Sequence, residues 1–384
     1  MTIGLLFPRS DVYPLIGAEF LEGIKTQLAL TENANKINFI SESIGFGGVE
    51  KEVYGKTEKL LMMDNVDLLI AFMDEKILEL IKPLILAANR ICIIVNTGAN
   101  YPINWVAQPN IIHLTLQHSF LCAVIGSTAA QGQKHKEAAV CSSFYDCGYM
   151  HLLSMVNEFV NGSGVIKHNY INKQTLKEEL VFPELFQFLN DNKSVKTLLS
   201  IYDSKIASAF YKQLKDWSQA GTLEVYVSPM MLEEKALLSH QDGFPFSVAG
   251  YVPWHSSAPG NANTTFISTY QKNYQKVPSM FSLLGWETGL ILQAIIDTKD
   301  VNYRNAEEVI VGLLSKKIAS PRGEMILDEE TLYYLTPAIR CFSTPGSNEL
   351  KREYGIDLKS EWEEFSAKNI EGNIAGWTNT YLCY

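Results

Sequence analysis

Ile3-Gly4-Leu5-Leu6-Phe7-Pro8-Arg9-Ser10 opens the chain. A run of apolar and small residues closed by a proline reads as a buried strand that ends in a loop. Behind it, Leu21, Ile24 and Leu28 fall on one face of a helix. The same couplet then recurs. Residues 37–40 precede a helix pattern holding Val53, Thr57, Leu60 and Leu61, and residues 66–71 precede Ile77, Leu80, Ile81 and Leu84. Runs at 91–95 and 111–116 follow, the second leading into an apolar helix over 120–130. Strand–helix alternation of this kind is the signature of a parallel sheet covered by helices on both faces.

The pattern restarts further on. Residues 137–141 read as a strand, 149–159 as a helix, and 164–171 and 196–201 as strands. The last of these feeds a helix with Ile206, Ala209, Phe210, Leu214 and Trp217 on one side, stopped by Gly221. Two successive sets in 384 residues predict an α/β protein of two doubly wound parallel-sheet lobes. Residues 245–263 are rich in Pro, Gly and Ser and predict a long connection, followed by helices over 265–274 and 281–296. Ligands of such sheets bind beyond the carboxyl ends of the strands. The loops of interest are therefore 8–17, 72–76, 96–101, 142–148, 202–205 and 228–231.

Composition narrows the function. The chain is 47% apolar and 19% charged, with a net charge of -10. Without a dense Lys/Arg stripe, that balance argues against nucleic acid, whose phosphates need a basic face. No stretch reaches the roughly 18 consecutive apolar residues of a membrane span. Residues 283–296 come nearest and are interrupted by Gly285, Glu287, Thr288 and Gln293. The cysteines at 92, 122, 141, 147, 341 and 383 form no CxxC pair, and no His stands at zinc-finger spacing, so no metal site is expected. Cys92 and Cys141 read as buried small hydrophobes. Cys341 and Cys383 are either free thiols or a pair that an oxidising compartment would join.

No dinucleotide fingerprint follows the first strand, and P-loop, GxSxG and HExxH motifs are absent. Neither a cofactor nor an enzymatic activity is expected, and Cys147-Gly148 has no recognisable His partner. Asp74-Glu75 admits three readings: a cap on the following helix, a ligand contact, or an acid–base pair. Thr97-Gly98-Ala99-Asn100 reads either as a nest of backbone N–H groups for an anion or as an ordinary glycine turn. Tyr13, Tyr145, Tyr202, Trp254 and Phe281 stand near loops or boundaries, where rings pack in a core or wall an apolar ligand.

The opening stretch with Tyr13, Gly17 and Gly23 resembles the start of the type I periplasmic binding proteins, in the branch of the leucine/isoleucine/valine-binding proteins of ABC importers. Val66-Asp67-Leu68-Leu69-Ile70-Ala71, then Pro83, Ala87, Ala88 and the strand at 91–95, continue the likeness. Pro253-Trp254, Phe266, Tyr270, Tyr274, Pro278-Ser279, Trp286 and Gly289 resemble the family's later helix pair, and Gly323, Ile326 and Asp328 its late hairpin. The resemblance spans nearly the whole chain. It implies a Venus-flytrap fold with three crossovers, lobe one comprising 1–117 and 250–328 and lobe two 118–249 and 329–384. It also implies two lobe-one loops that hold a ligand carboxylate, here Met73-Asp74-Glu75 and Gly98-Ala99-Asn100. Tyr202 and Phe281 fall at the family's ring positions, and Tyr13 and Tyr145 lie close to other pocket positions.

Three departures bear on the ligand. Asp74-Glu75-Lys76 replaces the family's serines, Met230 stands near its ammonium-binding acid, and Cys147 replaces its lobe-two tyrosine. The amino-acid clamp is incomplete, so the expected ligand is a neutral, cationic or aromatic solute. The implied partners are an ABC permease and its ATPases, with the protein acting as a monomer. A ligand-sensing regulator or receptor domain of the same fold is the alternative, with a signalling partner in their place. Met1 runs directly into a strand with no signal segment ahead of it, so either the protein is cytosolic or a leader has been removed; a strand beginning at residue 3 favours the second, and a periplasmic or lipid-anchored protein is the expectation.

Overall fold

The computed structural model describes every residue except 12, 33–35, 103–104, 133–135, 144–148, 175–177, 241, 299–301, 348 and 369–384. The opening run forms β1 (Thr2–Phe7) and the helix pattern behind it forms α1 (Ile16–Leu28). β2 (Asn38–Ser43), α2 (Glu50–Glu58), β3 (Leu68–Phe72), α3 (Glu75–Ala88), β4 (Ile91–Asn96) and β5 (Ile111–Thr115) follow. The five strands make one parallel sheet in the order β2-β1-β3-β4-β5. β3, β4 and β5 are buried at every residue, as strands covered on both faces must be.

A second set comprises α4 (His118–Gln131), β6 (Glu137–Ser143), α5 (Tyr149–Asn161), β7 (Val165–Asn172), α6 (Pro183–Asp191) and β8 (Thr197–Ile201). α7 (Ser204–Asp216), β9 (Glu224–Val227), α8 (Glu234–Leu237) and β10 (Ser247–Val252) complete it. The strands run β7-β6-β8-β9-β10, all parallel. Counted locally, both sheets have the order 2-1-3-4-5.

The chain then returns to the first sheet. α9 (Asn261–Tyr274), α10 (Met280–Ile296) and α11 (Ala306–Leu314) lead to a small antiparallel sheet of β11 (Lys317–Ser320), β12 (Gly323–Leu327) and β13 (Tyr334–Leu335). α10 lies along α1, and β13 reaches β5 through a His113–Tyr333 bridge. β14 (Ala338–Ser343) and β15 (Lys351–Ile356) then extend the second sheet antiparallel beyond β10, and α12 (Lys359–Ser366) packs on α4. The sheets are thus parallel in the main, with an antiparallel edge. Among the described residues no helix is long and apolar enough to cross a membrane.

Two details differ from the sequence reading. β10 occupies part of the expected connection over 245–263, because Val248, Tyr251 and Val252 supply an apolar strand inside its Gly- and Ser-rich surroundings. Gly250 is required there: a Cβ would lie 2.8 Å from the Val227 carbonyl oxygen on β9. Residue 250 therefore sits inside a second-sheet strand, and the residues just after 328 still belong with β12 and β13.

Glycines bring α1 and α10 together. A Cβ on Gly23 would stand 2.1 Å from the Ser282 carbonyl oxygen, and one on Gly285 would stand 2.0 Å from that of Phe20. This contact ties the third segment of the chain to the first sheet. Gly285→Ala is expected to lower stability by about 1–3 kcal/mol through overpacking. Urea unfolding should report it as a lower midpoint at unchanged slope.

Candidate functional site

An open sheet of order 2-1-3-4-5 has its ligand crevice at the carboxyl ends of its first and third strands, where the connections depart to opposite faces. In the first sheet these are the loop after β1 and the junction of β3 with α3. In the second they are residues 144–148, outside the described residues together with Tyr145 and Cys147, and residues 202–203.

Tyr13, half-buried in the β1 loop, sets its ring edge-on to Phe281 at 5.3 Å between centroids. Phe281, buried at the start of α10, lies 6.2 Å from Phe72 at the end of β3. The Lys235 ammonium on α8 stands 5.8 Å from the centre of the Tyr13 ring. A helix of the second set therefore meets the first sheet's loop through a cation–π contact. Lys235 carried no signal in the sequence, being one exposed lysine on a short helix.

At the β3–α3 junction Met73 is buried, and its N–H donates to the Val95 carbonyl at 3.1 Å. Asp74 caps α3: Oδ1 accepts from the Lys76 N–H at 3.1 Å, and Oδ2 accepts from Asn100 Nδ2 at 2.8 Å. The capping reading is the one observed, and the same carboxylate ties the two lobe-one loops together. Glu75 turns the other way. It is 5% exposed, with Oε2 3.3 Å from His113 Nδ1 on β5, and the His113 ring stacks on Tyr333 at 4.1 Å.

The loop after β4 rests on the first crossover. Asn96, Thr97 and Gly98 accept, through their carbonyls, from the N–H groups of Leu116, His118 and Ser119 at 3.3, 3.1 and 2.8 Å. The Ser119 hydroxyl donates to the Ala99 carbonyl at 2.6 Å. Gln117 gives α4 no side-chain cap, so the loop's carbonyls satisfy N–H groups that the helix leaves open. Gly98 has φ +70°, and a Cβ there would fall 2.7 Å from the Gln117 nitrogen. Its own N–H donates to Asn96 Oδ1 at 2.7 Å, so the expected nest is partly occupied from within. Asn96 Nδ2, Thr97 Oγ1 and, after β9, Ser228 Oγ are buried and have no protein partner.

The remaining candidates lie in cores. Met230, in the 3-10 turn Pro229–Leu232, is 1% exposed. Tyr202 is fully buried in the second sheet's core, with ring contacts to Phe182 at 5.8 Å and Phe210 at 5.0 Å. Its ring is thus enclosed by its own unit, because β8 turns into α7 immediately behind it. Trp254 is buried, its indole N–H donating to Asn263 at 2.9 Å. Cys92, Cys122, Cys141 and Cys341 are buried free thiols, and Cys383 lies outside the described residues. Among the described residues no three His, Cys, Asp or Glu side chains are grouped to hold a metal. His118 and His151, fully buried at the crossover, have ring centres 6.0 Å apart. Burial, then His151 and Arg322, hold His118 well below the usual histidine range.

No protein-family model and no curated protein matches the sequence. Solved structures do match in fold. An ABC transporter substrate-binding protein from Sphaerobacter thermophilus superposes with a TM-score of 0.75 at 13% identity, covering 93% of this chain and 98% of that one. An ABC transporter solute-binding protein from R. palustris in complex with benzoate gives 0.67 at 16% identity, covering 92% and 95%. A leucine-binding protein from Thermotoga maritima gives 0.64 at 14% identity, covering 94% and 99%. The chain has the type I periplasmic binding protein fold.

Two consequences can be measured. Tyr202→Ala should cost about 3–5 kcal/mol, as a large aromatic lost from a core does, read by chemical unfolding. The second concerns pH. The folded protein keeps His118 neutral, whereas the unfolded chain protonates it near 6.5. Below that pH the unfolded state binds the extra proton, so stability falls on acidification by up to about 1.4 kcal/mol per pH unit for each such group. Above it the contribution is level. Unfolding free energies from pH 7.5 down to 5 should therefore decline, and His118→Asn should shallow that slope by about one proton.

Proposed function

We propose that this chain is the solute-binding component of an ABC importer, a non-enzymatic protein whose two lobes close over a small molecule. The observation that carries this reading is the pairing of two sheets with identical strand order, the first sheet's switch-point loop meeting a helix of the second set at Tyr13 and Lys235. The shared fold over nearly the full length of transporter binding proteins favours transport over sensing. One lobe takes the residues up to Gln117 and those between β10 and β14, and the other takes the rest. Partners are a permease and its ATPases, and the protein works outside the cytoplasm as a monomer.

The ligand we favour is an aromatic solute held against Tyr13 and Phe281. The α-amino-acid clamp finds no support, since Met230 is apolar and buried where an acid is needed. Asp74 is engaged as a cap and with Asn100, so its repulsion of an anion is weaker than its charge alone implies. Solved proteins of this fold hold benzoate and 4-hydroxybenzoate, and these head the list of compounds to try.

Mass spectrometry of natively purified protein identifies what it carries, and a thermal-shift panel ranks candidates. A true ligand at a hundredfold excess over its Kd stabilises the fold by about 2.7 kcal/mol. The expected result is a shift with an aromatic compound that Tyr13→Ala abolishes, and none with leucine, isoleucine or valine. A clear shift with leucine would overturn the ligand class while leaving the binding function in place.

A further inference from the structure

The chain leaves β10 through Trp254-His255-Ser256-Ser257, and this turn brings a hydroxyl, an imidazole and a carboxylate together. Ser257 Oγ stands 2.7 Å from His255 Nδ1, and the other ring nitrogen, Nε2, stands 3.5 Å from Glu234 Oε1 on α8. The Ser257 backbone N–H also donates to Nδ1, at 3.1 Å. An N–H can only donate, so Nδ1 of the neutral ring carries no proton and Nε2 carries it. In that tautomer Nδ1 can take the hydroxyl proton while Nε2–H points at a carboxylate. Glu234 is held in turn by the Ser256 N–H, which donates to Oε1 at 3.0 Å.

The group is both fixed and reachable. Asn263 Nδ2 donates to the carbonyls of Ser256 and Ala258 at 2.9 and 2.7 Å, and the Ala258 N–H donates to the His255 carbonyl at 2.9 Å. The Tyr354 hydroxyl on β15 lies 2.9 Å from Ser257 Oγ. With the Ser257 hydrogen directed at Nδ1, Tyr354 is the donor in that contact. Ser257 is exposed, whereas the His255 side chain is only 12% exposed. Burial, then Arg352 on β15, hold His255 below the usual histidine range, against Glu234, which raises it. The ring is therefore neutral, and a base, at neutral pH.

We infer that Ser257 is an activated nucleophile that takes an acyl group from aryl esters, with His255 as its general base and Glu234 as the residue that positions the ring. Oγ attacks the ester carbonyl carbon as its proton passes to Nδ1. The bond from that carbon to the aryl oxygen then breaks, and the phenol departs with the proton from Nδ1. Aryl esters are the fitting class because their leaving group is weakly basic and asks little of its surroundings. The product is an acyl-serine on an exposed loop, a covalent modification and not a turnover. None of these residues supplies the crevice contacts, so the site stands apart from the solute-binding reading.

The test uses the intact chain and p-nitrophenyl acetate, following p-nitrophenol release and locating the acetyl group by peptide mass mapping. A burst of about one equivalent is expected, with the acetyl group on Ser257. Ser257→Ala should remove the burst, and His255→Gln should slow it about a hundredfold. The rate should fall on acidification with a midpoint below 6.5. Glu234→Gln should move that midpoint lower still, a shift that a purely structural role would not give. Mapping and the pH profile need no variant, so they decide the matter even where a substitution unfolds the loop. Acetylation of lysines or Tyr354 in place of Ser257, an unchanged rate in His255→Gln, or no burst would each overturn the proposal.

Discussion

Arg322 is fully buried and joins three segments that are far apart in the chain. Its Nη2 and Nε donate to Glu287 of α10 at 2.6 and 2.8 Å, and its Nη1 donates to the Thr115 carbonyl at 3.0 Å. The Ser320 hydroxyl also donates to Glu287. Two charges withdrawn from water are costly unless they are paired and their remaining hydrogen-bonding positions filled. Here the late hairpin, the third-segment helix and the end of β5 supply what is needed, and losing one partner would leave an uncompensated charge worth about 3–5 kcal/mol. Thr115 is the last residue of β5, and two residues later Gln117 takes φ +57° to start α4. The pair therefore sets the point from which the chain leaves the first sheet.

That point reaches the crevice through hydrogen bonds. Leu116, His118 and Ser119 hold the carbonyls of the loop after β4, and Asn100 at its far end holds Asp74, the cap of α3. Each link consumes a group that would otherwise need water or a ligand, so the loop's backbone is positioned before anything binds. Preorganisation of this kind lowers the ordering cost of binding. Asn96 Nδ2 and Thr97 Oγ1 are the side-chain groups that this wall leaves without a protein partner.

The parts legible in the sequence were those governed by periodicity. The first sheet, β6 to β8 and α10 are long apolar or amphipathic runs, and each is found within a few residues of its expected place. What escaped was set by partners distant in sequence. β10 hides among Gly and Ser because its glycine answers a close approach by Val227, which no local pattern announces. β14 and β15 pair antiparallel at an edge where half-exposed, charged residues blur the alternation. Asp74 was legible as a cap because capping is a local act. The fate of Glu75 depends on His113, a strand away, and that of Tyr202 on rings brought together by folding. The family resemblance supplied the alignment of the loops but not the direction in which each side chain points.

For the closure proposed here, polar groups matter more than rings. Asn96 Nδ2, Thr97 Oγ1 and Ser228 Oγ are buried at strand ends of two different sheets without protein partners. In an open form, water serves such groups, whereas a closed form without partners for them pays about 1–3 kcal/mol for each. A ligand can shift the balance only by its preference for the closed form, and moving a population from 1:99 to 99:1 takes about 5.5 kcal/mol. Two or three satisfied polar groups are of that size. The Tyr13 and Phe281 rings would contribute in proportion to contact area and so select for shape. The polar groups left over by the crossover would make closure conditional on the ligand.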